Sequence, residues 1–170
     1  MRYVGRLLKF TAKEGSEVVE RRLQAAGGSL PIWLILQTLG EQEGELQRQL
    51  AERLCIEGPT MTRHLDNLAA DGLIERRPDP NDRRGTRVFA TEEGRRRLKA
   101  LWAVMERTEG DLLHGFSPQE VDALEELLTR LRENVWHAAV ADAEGAGRTA
   151  PPHPRWMEQR HIAAVMAQDA

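Results

Sequence analysis

Residues 46–72 read LQRQLAERLCIEGPTMTRHLDNLAADG, and their spacing decides the fold. Leu46, Leu50, Ala51 and Leu54 recur at helical intervals, so the first nine residues form one amphipathic helix. The next four, CIEG, leave room only for a tight turn. Pro59 then suits the first position of a second helix and Gly72 the position just past its end. Met61, Leu65, Leu68 and Ala69 form the apolar stripe of that helix, and Thr60, Thr62, Arg63, Asp66 and Asn67 take the opposite face. Two helices joined by so short a turn are a helix-turn-helix.

Working outward, LIERR (73–77) and TRVFA (86–90) have strand character, with Val88 and Phe89 as a β-branched and aromatic centre. The Pro, Asn, Asp and Gly residues of PDPNDRRG between them predict a hairpin with a long loop. Thr91 caps a helix beginning EEGRRRLKALW, whose first-turn Glu92 and Glu93 suit the helix dipole. In FSPQEV, Ser117 and Glu120 form a capping box, and the helix beyond carries Val121, Leu124, Leu127, Leu128, Leu131, Val135 and Trp136. AEGAGRTAPPHP reads as a linker, followed by a short helical segment from about Arg155 to Met166. Upstream, residues 2–25 predict a moderately amphipathic helix. Ser29 caps LPIWLILQTL, a helix apolar on nearly every side and so buried, which Gly40 stops before a polar link, EQEGE. The expected class is mainly α with a small antiparallel β-hairpin.

Composition narrows the function. The single cysteine, Cys55, excludes a disulfide scaffold and a cysteine-rich zinc site. The five histidines, at 64, 114, 137, 153 and 161, show no i, i+4 pair, so no metal or other cofactor is expected. No nucleophile motif, phosphate-binding glycine loop or HExxH occurs, which argues against an enzyme. Nothing approaches the roughly 18 apolar residues of a membrane span, and MRYVGRLLKFTAKEG does not read as a signal peptide because Arg6 and Lys9 interrupt its apolar residues. A cytoplasmic protein is the expectation.

Net charge is −3, yet residues 58–100 hold ten Lys and Arg against seven Asp and Glu. That stretch is therefore +3 and the remainder −6, and the segregation is the signal. A helix-turn-helix followed by a strand, an arginine-bearing loop and a second strand has the order of a winged helix. Its second helix can offer side chains to a major groove while the loop reaches the neighbouring minor groove. The candidate DNA-binding residues are Thr60, Thr62, Arg63, His64 and Asn67 on the helix, with Arg76, Arg77, Asp82, Arg83, Arg84 and Arg87 on the hairpin. Asp82 beside arginines fixes the loop's shape if it pairs with one of them.

The stretch LAERLCIEGPTMTRHLDNLAADGLIERRPDPNDRRGTRVFATEEGRRRL resembles the MarR family of bacterial transcription regulators over about residues 46–98. The similarity lies in TxTRHLDxL, in DGLIERRPDPNDRR, and in the TEEG that leaves the hairpin. It implies a winged helix-turn-helix (29–100) flanked by an N-terminal dimerisation helix (1–28) and C-terminal dimerisation helices (101–140), with 141–170 as linker and tail. It implies a homodimer on double-stranded DNA, with Arg84 in the minor groove and Arg63, Thr60 and Thr62 in the major groove. It also implies a repressor released by a small aromatic or phenolic ligand, in a cleft that Trp33 borders. Two alternatives remain at this point: a winged-helix protein-interaction module without DNA binding, and an oxidant sensor using Cys55, which occupies a turn position where a small buried residue is expected.

Overall fold

The computed structural model describes residues 3–150. The predicted helix at 155–166 and the later part of the predicted linker lie outside the described residues. The chain forms two compact units, one ending at Leu112 and one starting at Leu113. In the first, α1 (Val4–Ala25), α2 (Leu30–Glu41), β1 (Glu45–Leu46), α3 (Gln47–Arg53), α4 (Gly58–Ala70), β2 (Ile74–Pro78), β3 (Thr86–Ala90) and α5 (Glu92–Leu112) follow in order. The second unit contains α6 (Pro118–Gly145).

The core of the first unit collects the apolar stripes of its elements: Ile35, Leu36 and Leu39 from α2, Leu50 and Ala51 from α3, Met61, Leu65 and Leu68 from α4. Leu73, Ile74, Val88, Ala90 and Leu98 close it from the hairpin and α5. Because α2 is apolar on most sides, it lies between the other elements, with five consecutive residues, Ile35–Leu39, buried. Ala69, by contrast, is exposed. One residue past Leu68 is about a 100° turn around the helix, which carries Ala69 off the stripe.

The sheet has three strands, ordered β1-β3-β2 and antiparallel throughout. Thus EQEGE is more than a link, since Glu45 pairs with Val88 and Leu46 with Arg87. Gly40 does not stop α2, which runs on to Glu41 and ends where Gln42 turns extended. The sharp reversal comes at Gly44, whose φ of +74° and a ring carbon of Phe89 2.8 Å from where a Cβ would stand both require glycine.

Both predicted caps of the later helices form. Thr91 accepts from the Gly94 N–H at 3.0 Å, and its hydroxyl donates to the Gly72 carbonyl at 2.6 Å. Ser117 and Glu120 make the reciprocal capping box. The close approach of α5 to the hairpin entrance sets Gly94, because a Cβ there would stand 2.0 Å from the Leu73 carbonyl oxygen. α5 runs unbroken through residues 100 and 101, and α6 continues to Gly145, into the first residues read as linker.

Candidate nucleic-acid interface

α4 places its residues as its periodicity requires. Met61, Leu65 and Leu68 are buried, Thr62, Arg63 and Asn67 are exposed, and Thr60 and His64 are half-buried. The Thr62 hydroxyl is already engaged, accepting from Gln47 Nε2 at 2.8 Å and donating to the Gly58 carbonyl at 3.0 Å. The helix is thereby tied to the first residue of α3.

The hairpin arginines fall into two groups. Arg83 and Arg84 are exposed at the tip and make no side-chain hydrogen bond or ion pair among the described residues. Arg76, Arg77 and Arg87 are engaged within the protein. Arg76 pairs with Asp66 at 2.7 Å and donates to the Thr62 carbonyl at 3.2 Å, which links β2 to α4. Arg77 pairs with Glu75 and lies over the Phe89 ring, 4.4 Å from its centroid. Arg87 donates to the Gly44 carbonyl at 2.8 Å and pairs with buried Asp79 at 3.4 Å.

Asp79 and Asp82 shape the loop in different ways. Asp79 accepts from the Asn81 N–H at 3.0 Å, and the Gly85 carbonyl accepts the Asp79 N–H at 3.0 Å, so the loop closes on itself. Asp82 accepts the Arg84 N–H at 2.9 Å. Its arginine partner is Arg48 of α3, at 3.5 Å, rather than one of the wing arginines beside it in sequence.

The Asn81 N–H holds the Asp79 carboxyl below the usual aspartate range, and Arg87 and Arg48 add to this against the opposing effect of burial. A depressed carboxyl favours the folded state fully above the ordinary aspartate value, and that contribution disappears as pH falls through the depressed range. Wild type is expected to lose stability there more steeply than Asp79→Asn. Acid-unfolding curves of the two that run parallel would contradict it.

RRRLK at the start of α5, a second basic run, is largely internal in its bonding. Arg95 pairs with Glu43 at 2.6 Å, Arg96 pairs with Glu93 at 2.8 Å, and Arg97 donates to the Gly27 carbonyl. Cys55 is exposed, not buried as its position suggested, and has a φ of +54° in the turn. Trp33 packs on the core, 6.0 Å from the Trp102 ring, and its buried Nε1 finds no acceptor among the described residues.

Sequence reasoning missed the charged centre that supports all this. Arg53 is buried between Glu41 and Glu45, pairing with the first and lying 3.6 Å from the second. It joins the end of α2, β1 and α3. A run of Glu residues in a polar link gives no sign of burial, so the only available signal was Arg53 itself, on the inward side of a short amphipathic helix.

Residues 29–86 match the model of the MarR family. The winged-helix segment is therefore similar to the MarR family. Solved structures agree. A MarR-family transcriptional regulator from Rhodococcus sp. RHA1 is 27% identical, with a TM-score of 0.69 over 75% of this chain and 91% of that one. A probable transcriptional regulator from Pseudomonas aeruginosa is 28% identical, with a TM-score of 0.69 over 76% and 96%. The S. aureus MepR–DNA complex shares the fold at 23% identity and a TM-score of 0.71, over 79% and 99%. The MarR family is one of transcription regulators rather than enzymes. Among the described residues, no helix is long and apolar enough to cross a membrane, and no three His, Cys, Asp or Glu side chains gather as metal ligands.

Proposed function

We propose that this chain is a sequence-specific DNA-binding transcription regulator. The observation that carries the reading is the contrast on one unit between buried Met61, Leu65 and Leu68 and exposed Arg63, Arg83 and Arg84. An exposed α4 face suits a major groove, and two exposed guanidinium groups on the wing suit the negative potential of a minor groove. Arg76, Arg77 and Arg87 serve the interface by holding the wing in shape. The MepR structure, a DNA complex of the same fold, supports this reading.

The protein works as a homodimer. α1 leaves Val4, Leu7 and Phe10 more than half exposed, and α6 does the same with Leu127 and Val135. A second copy laid over these faces removes that apolar surface from water, and its twofold axis sets the two α4 helices on successive major grooves. The dimer acts as a repressor, released by a small aromatic or phenolic ligand. Support for the ligand comes from Trp33, whose buried N–H has no acceptor among the described residues, a place that a phenolic or carboxylate oxygen would fill.

Enrichment from a random duplex library tests this function. The expected product is an inverted repeat whose half-sites lie about one helical turn apart. Arg63→Ala should relax preference at one position per half-site, by about 1–3 kcal/mol. Failure to enrich any duplex would instead favour a winged-helix module that binds protein.

A further inference from the structure

A helix in a major groove and a wing in the adjacent minor groove are separated by a single ridge, the sugar-phosphate strand between the grooves. Whatever lies between α4 and the wing must therefore face that strand. In this protein the intervening space is a cleft of about 560 Å³, bordered by Gln47, Arg48, Gly58, Thr62, Asp82 and Arg84.

Two arginines and one carboxylate border the cleft. Gly58 opens α4, a 13-residue helix whose first N–H groups carry partial positive charge. The Thr62 hydroxyl has already given its proton to the Gly58 carbonyl, so a charged donor to a phosphate must come from another residue. Arg48 is two-thirds exposed, and its only acceptor among the described residues is Asp82, at 3.5 Å. Asp82 uses its other oxygen to accept the Arg84 N–H. A 3.5 Å contact between exposed groups is loose, and a phosphate offers a guanidinium a better, bidentate partner.

We propose that Arg48 is a phosphate-binding residue held in reserve by Asp82, and that it transfers from the carboxylate to the DNA strand when the duplex enters the cleft. The inference rests on the DNA-binding reading. It adds a contact from α3, an element outside the residues assigned from sequence, and gives Asp82 the second role of setting how readily that contact forms.

The full chain and a mixed-sequence B-form duplex, titrated over a range of salt concentrations, test it without knowledge of the operator. Arg48→Ala is expected to weaken binding on every sequence and to lower the slope of log K against log salt by about 0.9 per chain. Asp82→Asn keeps an oxygen for the Arg84 N–H while removing the charge, so it should tighten binding, and the gain should shrink when Arg48 is also alanine. Wild-type affinity and slope in Arg48→Ala would overturn the proposal. So would weaker binding by Asp82→Asn, or an equal gain with and without Arg48, in which case Asp82 acts on DNA directly. If the wild-type protein binds no duplex, the DNA-binding reading fails, and this proposal with it.

Discussion

Arg53→Ala is expected to destabilise the first unit by about 3–5 kcal/mol, as does removal of one member of a buried ion pair. The Arg53 side chain is 7% exposed and that of Glu45 2%, so truncating the arginine leaves a carboxylate facing little water and short of its counter-charge. The loss is larger than an exposed pair such as Lys13–Glu17 would give, which is about 0–1 kcal/mol. Denaturant unfolding should show a lower midpoint with an unchanged m-value. Adding Glu45→Gln should recover part of the loss, because the uncompensated charge goes with it. An Arg53→Ala midpoint close to wild type would show that the elements around β1 are held by apolar packing alone.

The second large effect is on binding. Replacing Arg83 and Arg84 together with alanine should weaken affinity for every duplex sequence by about ten- to a hundredfold per arginine, as expected for charge-assisted hydrogen bonds of roughly 1.5–3 kcal/mol. Both side chains are exposed and have no partner among the described residues, so their removal should leave stability unchanged. Arg87→Ala should behave in the opposite way. Its guanidinium ties the wing to Gly44 and Asp79, so its loss should lower stability and loosen the wing. Gel-shift titrations paired with thermal melts distinguish the two patterns. Equal losses of binding and stability in the double variant would mean that the wing tip is part of the folded framework.

The order of elements was legible because each left a local signature. Period-3.6 stripes marked α3 and α4, turn residues marked the hairpin, and Thr91 and Ser117 marked helix starts that the hydrogen bonds bear out. What escaped depends on partners distant in the chain. β1 has only two residues and no periodicity, and it exists because β3, over 40 residues later, offers an edge. The same reason separates the arginines. Nothing local distinguishes Arg87, which reaches back to Gly44, from Arg84, whose side chain has no partner among the described residues. Cys55 was misjudged because its burial depends on how the turn is bent: at a φ of +54° the residue is exposed, and nothing in CIEG marks that conformation at a non-glycine residue. Arg48 was overlooked because its interest comes from Asp82, 34 residues away and across the cleft.

The central claim is that α4 and the wing form one surface for duplex DNA although the chain as a whole is acidic. Equilibrium binding of the wild-type protein to duplex DNA across a salt series tests it most directly. Log K should fall linearly with log salt, by about 0.9 for each phosphate neutralised. Absence of binding at low salt, or an affinity indifferent to salt, would contradict the account.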